Sequence, residues 1–365
     1  MNMEIMNIKK YLIALLTVTT TAATPAFAQT SIGTYRPGIT EEGAIYYLPK
    51  TAVRIVVRSE KSTYKPGDLS KYAERYLRLK NVSQVPAVSH RIISIRQEAI
   101  AVADTAKRYA VKFDYRTVAA NVALSNDGVL LAINATPLQP KTEEQFRPAP
   151  RQETVNPRNF MSEDILAAGS LAKQAELTAQ EIYDIRESRN LLVRGQADNM
   201  PKDGAQMQLM LDQLNMQDQS LTSLFAGTTV RDTVEQAFTI VPDKDIERSV
   251  IFRFSQKLGL LDSDDLAGVP YYISVSDLHA APAQDPEAKK KKDKQEPGIY
   301  VNVPGKMKVS VANDTETLLS AELPAPQFGN TELLSGALFN KRYTTHLWLN
   351  PLTGAVDRLE AEQPK

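Results

Sequence analysis

The stretch Ile45-Tyr-Tyr-Leu-Pro-Lys-Thr-Ala-Val-Arg-Ile-Val-Val57 ends in β-branched residues and contains one proline, Pro49. β-Branched and aromatic residues favour strands, whereas proline cannot donate a hydrogen bond to a neighbouring strand. The stretch therefore predicts two strands with a break at Pro49. Downstream, Lys65-Pro-Gly-Asp68 predicts a turn and the start of a helix. The strand patterns that follow lie at 91–96, 109–113 and 118–133.

Two helical patterns lie in the middle of the chain. From Ser162 onward, apolar residues recur at steps of three and four, and most are alanines that let a partner helix approach closely. The segment from Gly195 to Gly204 interrupts the pattern, and a second apolar face runs from Met207 to Phe225. At 1.5 Å per residue the two helices would be about 44 and about 33 Å long, which predicts an antiparallel hairpin. Its apolar stripe is typical of plain core, with docking of a partner as the alternative.

Strand patterns return from Thr228 to Glu360, with a final hairpin through Asn350-Pro-Leu-Thr-Gly354. Between Ala280 and Gly298, four consecutive lysines are flanked by acids and prolines. This composition predicts a solvated loop between two strands, and contact with phosphate is the alternative. Residues 45–57 align without a gap on residues 299–311, which fits either an internal duplication or the chance recurrence of strand patterns.

Together these patterns predict an α+β fold in which two β-rich domains flank a long antiparallel α-helical hairpin. At 365 residues the chain is long enough for two domains and a linker. The predicted segments are a signal peptide at 1–28, an N-terminal β-rich domain with one helix at 29–136, a Pro-rich linker at 137–160, the helical hairpin at 161–227, and a C-terminal β-rich domain at 228–365 with a Lys-rich loop at 280–298.

The N-terminus has the pattern of an exported protein. Lys9 and Lys10 precede an apolar run from Tyr11 to Val18, and Ala26-Phe-Ala28 fits the small-x-small site of signal peptidase. A membrane anchor is the alternative, but this run is much shorter than the roughly 20 residues needed to span a bilayer. The chain has no cysteine, so it cannot be a lipoprotein attached through one. We expect cleavage after Ala28 and a periplasmic location without a membrane span.

Charge and composition exclude several function classes. The chain has 43 basic and 43 acidic residues, whereas nucleic-acid binding needs a basic excess on the binding face. Without cysteine there are no disulfides, thiolate metal sites or cysteine nucleophiles. The three histidines, at 90, 279 and 346, include no pair at metal-ligand spacing, and no catalytic motif is recognisable. We therefore expect no metal, no cofactor and no enzymatic activity.

Two sets of residues are candidates for contact with a partner or a ligand. The outer face of the predicted hairpin would contact an envelope protein partner through Glu181, Asp184, Arg186, Glu187 and Arg189, although a solvated helix face would carry the same charges. This set favours a non-catalytic binding or scaffolding protein. The alternative is recognition of a glycan or another envelope polymer, with Tyr46, Tyr47, His346 and Trp348 as candidates. Trp348 would also fit a sheet core, and a hydrolase built on His90 or His346 is a third alternative.

Specific motifs occur along almost the whole chain. They are Gly43-Ala-Ile-Tyr-Tyr-Leu-Pro-Lys50, Lys71-Tyr-Ala-Glu-Arg-Tyr-Leu77, the run from Ala175 to Asn190, Asn199-Met-Pro-Lys-Asp-Gly204 and Phe252-Arg-Phe-Ser255. In combination they resemble a domain-of-unknown-function family of exported proteins from gut Gram-negative anaerobes. The resemblance implies an envelope protein with a signal peptide. It brings no known active site, so no residue role is transferred from it.

Overall fold

Antiparallel β-sheets make up most of the structure. The computed structural model describes residues 39–40, 43–112, 121–138, 146–149, 155–283, 298–339 and 344–362. Of the described residues, 49% lie in strands and 24% in helices, and the strands form three antiparallel sheets. The expected α+β fold, with two β-rich domains that flank a long helical hairpin, is therefore wrong.

The strands are numbered here in chain order. Sheet A contains β1 (Ile39–Thr40), β2 (Gly43–Lys65), β3 (Ala87–Lys112) and β6 (Thr228–Ile240), with β2 between β3 and β6. Sheet B contains β7 (Ile246–Ser255), β8 (Gly259–Leu261), β9 (Val269–Asp277), β10 (Gly298–Ala312) and β11 (Thr317–Ser335), in the order β11-β10-β9-β7-β8. Sheet C contains β4 (Val122–Leu124), β5 (Leu130–Ile133), β12 (Thr344–Leu349) and β13 (Val356–Glu362), in the order β13-β12-β5-β4.

Strand β2 runs through the predicted break. It continues for 23 residues even though it contains Pro49. The pairing with β3 shifts register beside Pro49, which is opposite Ala103. Such a bulge accommodates a residue that has no N–H to donate. Next to the bulge, the side-chain amide of Gln327 bonds both the N–H and the C=O of Thr51, at 3.0 and 2.9 Å. The break expected at Pro49 is a bulge within one strand.

Strands from both predicted β-rich domains combine in the same sheets. In sheet A, residues 53–65 of β2 pair with the whole of β6. In sheet C, Leu347 and Trp348 of β12 are opposite Ile133 and Ala132 of β5. Gly38–Lys365 accordingly forms one compact unit. These pairings join residues that are distant along the chain, and local patterns in the sequence do not reveal them.

Strands β2 and β10 each contribute to two hydrophobic cores. In the first core, Tyr46 and Leu48 of β2 are buried with Ile299 and Val301 of β10 and with residues of sheet C. In the second core, the buried residues of these two strands are Val53, Ile55, Val57, Met307, Val309 and Val311. Alternate residues of a strand point to the same side, and the bulge at Pro49 changes the buried positions of β2 from even to odd numbers, so one long strand supplies both cores.

The helices are α1 (Ala73–Leu77), α2 (Glu163–Leu166), α3 (Leu171–Val193) and α4 (Gly204–Ala226). In the described ranges, three short 3₁₀ helices span Ser70–Tyr72, Pro157–Phe160 and Gly336–Phe339. A helix begins after Ser162 as expected, but it is the short α2. The long helix α3 begins only after Ser170, whose Oγ accepts a hydrogen bond from the N–H of Lys173 at 3.2 Å. Helices α3 and α4 share a third core with Leu69 and Ala73 from the connection between β2 and β3. The helical segment is thus one part of a shared core and not a separate flanking hairpin.

Several predicted segments fall wholly or partly outside the described residues. These are the signal peptide at 1–28, part of the linker at 137–160 and nearly all of the Lys-rich loop at 280–298. The residue boundaries given for the segments stay predictions. Within the described ranges, every helix is too short or too polar to cross a membrane.

Candidate functional site

A cleft of about 450 Å³ lies where the end of α3 meets the start of α4. The residues that line this helix-end cleft are Ser188, Leu191, Leu192, Ala197, Asp198, Asn199, Met210, Gln213 and Leu214. Leu192 is buried, whereas Leu191 and Met210 remain 37% and 36% exposed. Leucine, alanine and methionine supply five of the nine lining side chains, so the cleft is largely apolar.

The two helix ends beside the cleft are well defined by local sequence. Helix α3 ends in a Schellman motif, in which Gly195 has a φ of +70° and the N–H of Gln196 donates to the C=O of Leu191 at 2.8 Å. Asp203 caps α4 by accepting a hydrogen bond from the N–H of Gln206 at 2.7 Å. The segment that interrupts the helical pattern in the sequence is therefore the wall of the cleft.

Further apolar side chains of α3, α4 and the segment between them are exposed to solvent. Val193 is 65% exposed, Met200 45% and Leu209 69%. Leu209 lies on the same face of α4 as Gln213, which lines the cleft, because residues four positions apart are neighbours on a helix. Single exposed apolar residues are normal, whereas an exposed apolar residue that shares a helix face with a cleft, as Leu209 does, enlarges an interaction surface.

The charged residues expected to contact a partner do not form one open surface. Arg186 makes a bidentate ion pair with Asp218 of α4, with Nε 3.1 Å and an Nη 2.9 Å from the carboxylate. Arg189 donates to the side chain of Asn215 at 3.1 Å. Both arginines therefore tie α3 to α4. The acidic members of the set carry no such contacts to α4: Asp184 and Glu187 are exposed and Glu181 is half-buried.

Tyr46 and Tyr47 lie on opposite sides of β2. Tyr46 is fully buried, and burial raises the pKa of its phenol. Its hydroxyl accepts a hydrogen bond from the N–H of Tyr300 and donates one to the C=O of the same residue. Tyr109 stacks on Tyr300 with ring centroids 4.3 Å apart. Tyr47 is half-buried, and its N–H donates to the C=O of Gly128 at 2.9 Å. Of the two tyrosines, only Tyr47 is within reach of a ligand.

His346 and Trp348 lie together on the outer face of sheet C, while Leu347 and Leu349 between and beside them point into the first core. Trp348 therefore does not pack into the sheet core. Its Nε1 donates to the C=O of Thr136 at 3.1 Å.

The neighbouring strand β13 adds charged groups to this outer face. The guanidinium of Arg358 lies 5.1 Å from the centre of the indole of Trp348 and pairs with Glu360. His346 has its Nδ1 against the C=O of Asn134 and its Nε2 3.9 Å from Glu362. A carbonyl oxygen can only accept, so Nδ1 carries the proton. The structure thus places Arg358, Glu360 and Glu362 on the same face as His346 and Trp348. The strand patterns in the sequence did not predict this.

The other two histidines, His279 and His90, lie in different parts of the structure. The Nδ1 of His279 lies 2.8 Å from the carboxylate of Asp277, and its ring is exposed. His90 packs its ring against Gly259 at the turn between β7 and β8. In the described part of the chain, no three acidic or histidine side chains are grouped so that they could hold a metal ion.

The comparisons with known proteins bear on the family alone. Comparison with curated proteins and with solved structures finds no match. They do not address what the motifs imply about export and source organism, and both stay predictions. A family model does match. It is described as a domain of unknown function, DUF4831, and it covers residues 42–357, most of the chain, so the protein belongs to that family.

Proposed function

We propose that this protein is a non-catalytic binding or scaffolding protein of the cell envelope that acts through protein–protein contacts at the helix-end cleft. The observation that carries the proposal is an open, largely apolar cleft whose lining residues Leu191 and Met210 remain partly exposed. The leader pattern at 1–28 supports export to the periplasm, and the absence of cysteine excludes attachment through a lipoprotein cysteine. The partner supplies apolar side chains to the cleft, in the way that grooves between helices take up the apolar face of another segment.

The test is crosslinking in intact cells with the tagged full chain. The variant Leu191→Glu/Met210→Glu places two charges at the cleft, at positions exposed enough for the fold to survive. The matched control is Leu266→Glu, because Leu266 is 82% exposed and lies in the connection between β8 and β9. A defined protein crosslinked by wild type and control, and lost in the cleft variant, supports the proposal. Equal crosslinking by all three proteins contradicts it.

A second candidate function is recognition of a neutral glycan on the outer face of sheet C. The observation that favours it is the grouping of Trp348 with His346, Arg358 and Glu360 on one solvent-facing surface. An aromatic ring and flanking hydrogen-bonding groups suit the apolar face and the hydroxyls of a sugar. Trp348 is the only tryptophan of the chain, so its fluorescence reports on this surface directly. Titration with neutral hexasaccharides should change the emission, and an unchanged spectrum at millimolar sugar excludes this candidate.

A further inference from the structure

We infer that the outer edge of strand β6 binds an extended segment of another protein, which adds to sheet A as a further strand. Strand β6 pairs with β2 along one edge. Among the residues that the structure describes, no strand pairs with the other edge, and no hydrogen bond reaches the main chain of β6 from that side. The helix-end cleft lies at the opposite end of α4 from β6, so this inference does not rest on the proposed function.

The hydrogen-bonding groups of this edge determine what can bind to it. In an antiparallel sheet, alternate residues of a strand direct their N–H and C=O groups to opposite edges. About six residues of β6 therefore present an unpaired donor and an unpaired acceptor on the outer edge. Another extended main chain supplies acceptors and donors at the same spacing, and peptide binding by strand addition uses this match. The edge thus identifies its ligand as a polypeptide.

Strand β6 lacks the features that normally keep an edge strand from pairing. Edge strands are commonly blocked by proline, by lysine, by bulges or by being very short. Strand β6 contains no proline and no lysine, and its register with β2 is uninterrupted over all 13 residues. The other edges of the described sheets show such features. Strand β11 contains Pro324 and Pro326, β3 and β13 shift register against their neighbours, and β1, β4 and β8 have at most three residues.

The side chains of β6 indicate which segments suit this edge. Phe238 and Ile240 pack against the second core, and Val234 lies on the same side of the strand but is 54% exposed. On the other side, Glu235 already pairs with Arg58 at 2.6 Å, so a ligand does not need an opposite charge there. Apolar side chains of an added strand would pack beside Val234 and Phe238. We therefore expect a segment with apolar residues at alternate positions.

The strand on the opposite edge of β6 supplies a probe with this pattern. Residues 53–65 of β2 pair with every residue of β6, and Val53, Ile55 and Val57 lie on the same side as Phe238. A fluorescently labelled synthetic peptide with the sequence of 53–65 is titrated into the full chain. Anisotropy should show saturable binding.

Two modified peptides test whether main-chain hydrogen bonds carry the binding. One has N-methyl groups at Ile55 and Val57, and the other has them at Val56 and Arg58. Each N-methyl group removes a donor, and alternate N–H groups of a strand point to opposite edges. In either register, one of the two peptides should therefore bind at least about tenfold more weakly than the unmodified peptide, while the other binds like it.

Hydrogen exchange of the protein shows where the peptide binds. At saturating peptide, the outward amides of β6 should exchange at least about tenfold more slowly, while those of β13 stay unchanged. Val234→Lys should raise the dissociation constant about fivefold, because lysine replaces an apolar contact with the added strand. The control is Val356→Lys, since Val356 is an exposed valine on the edge strand of sheet C, and it should bind like wild type. Circular dichroism checks that both variants fold.

Four results overturn the inference. The first is a lack of saturable binding up to about 1 mM peptide, which is far above the dissociation constants of specific complexes. The second is equal binding by the two N-methylated peptides. The third is faster exchange in β2, because the peptide has then displaced β2 instead of adding to β6. The fourth is protection of β6 that grows with protein concentration in the absence of peptide, because a second copy then occupies the edge.

Discussion

The hydroxyl of Tyr46 accepts a hydrogen bond from the main-chain N–H of Tyr300 at 2.8 Å and donates one to the carbonyl of Tyr300 at 3.2 Å. The two residues are 254 positions apart and belong to β2 and β10, the two strands that contribute to both the first and the second hydrophobic core. One side chain thus joins sheet A to sheet B through the main chain of the second strand.

Tyr46→Phe should lower the free energy of unfolding by about 1–3 kcal/mol, because it leaves two buried main-chain groups of Tyr300 without their partner. Urea denaturation measures the change. The control is Tyr47→Phe, since Tyr47 lies on the other side of β2 and is half-buried, and it should stay within about 0.5 kcal/mol of wild type. Equal losses in the two variants would contradict the assigned role of the Tyr46 hydroxyl.

The buried phenol of Tyr46 should make stability depend on alkaline pH. Burial raises its pKa above the ordinary value of about 10, so the folded state holds its proton more tightly than the unfolded state. Its contribution to stability is complete below pH 10 and is lost as pH rises above that value, by up to about 1.4 kcal/mol per pH unit. Urea denaturation between pH 8 and 11.5 should show a smaller loss in Tyr46→Phe than in wild type. Parallel curves for the two proteins would refute this assignment.

The ion pair between Arg186 and Asp218 should stabilise the contact of α3 with α4. The side chains are 33% and 14% exposed, and the pair is bidentate, so Arg186→Met should lower the unfolding free energy by about 1–2 kcal/mol. The exposed pair Lys173–Glu176 serves as the control, and Lys173→Met should change stability by less than about 0.5 kcal/mol. A double-mutant cycle with Asp218→Asn checks the coupling, and a coupling near zero counts against the predicted role.

The close approach of Gly67 to α4 should make this position intolerant of any side chain. A Cβ atom here would lie 2.0 Å from the carbonyl oxygen of Leu224, and the N–H of Leu69 already bonds that oxygen at 2.8 Å. Gly67→Ala should therefore lower the unfolding free energy by at least about 2 kcal/mol. Gly169→Ala is the matched control, because nothing lies within 4 Å of its Cβ position, and it should be neutral. Thermal unfolding compares the two variants.

The sequence predicted the positions of the strands and helices better than it predicted which strands pair with each other. The β-branched residues of 45–57 predict a strand in the right place, but the break expected at Pro49 depends on whether the neighbouring strand can bulge. The sequence also misplaces the start of α3, since Ser162 and Ser170 are both acceptable caps. The two-domain interpretation failed because nothing local in Ile133 or Leu347 indicates that they are opposite each other.

The candidate site was likewise predictable only where neighbouring residues belong to the same strand or helix. Alternation along β12 places His346 and Trp348 on one face, as expected, but the charges beside them come from β13 through cross-strand register. Arg186 and Arg189 were predicted to contact a partner protein, because the sequence of α3 alone does not show that Asp218 and Asn215 of α4 lie opposite them. The sequence did not predict the cleft. Its lining residues belong to an apolar pattern that is typical of core, and whether they are exposed depends on where α3 and α4 end.

The pairing of β5 with β12 also governs when the protein can acquire its structure. Asn134, just after β5, bonds the carbonyl of Thr345 across 211 positions of the chain. A ribosome makes residues 130–133 long before residues 344–349, so the growing chain has no means of completing sheet C or the first core until it is almost finished. The packing of the N-terminal half against sheet C is therefore completed only after the last strands have been made.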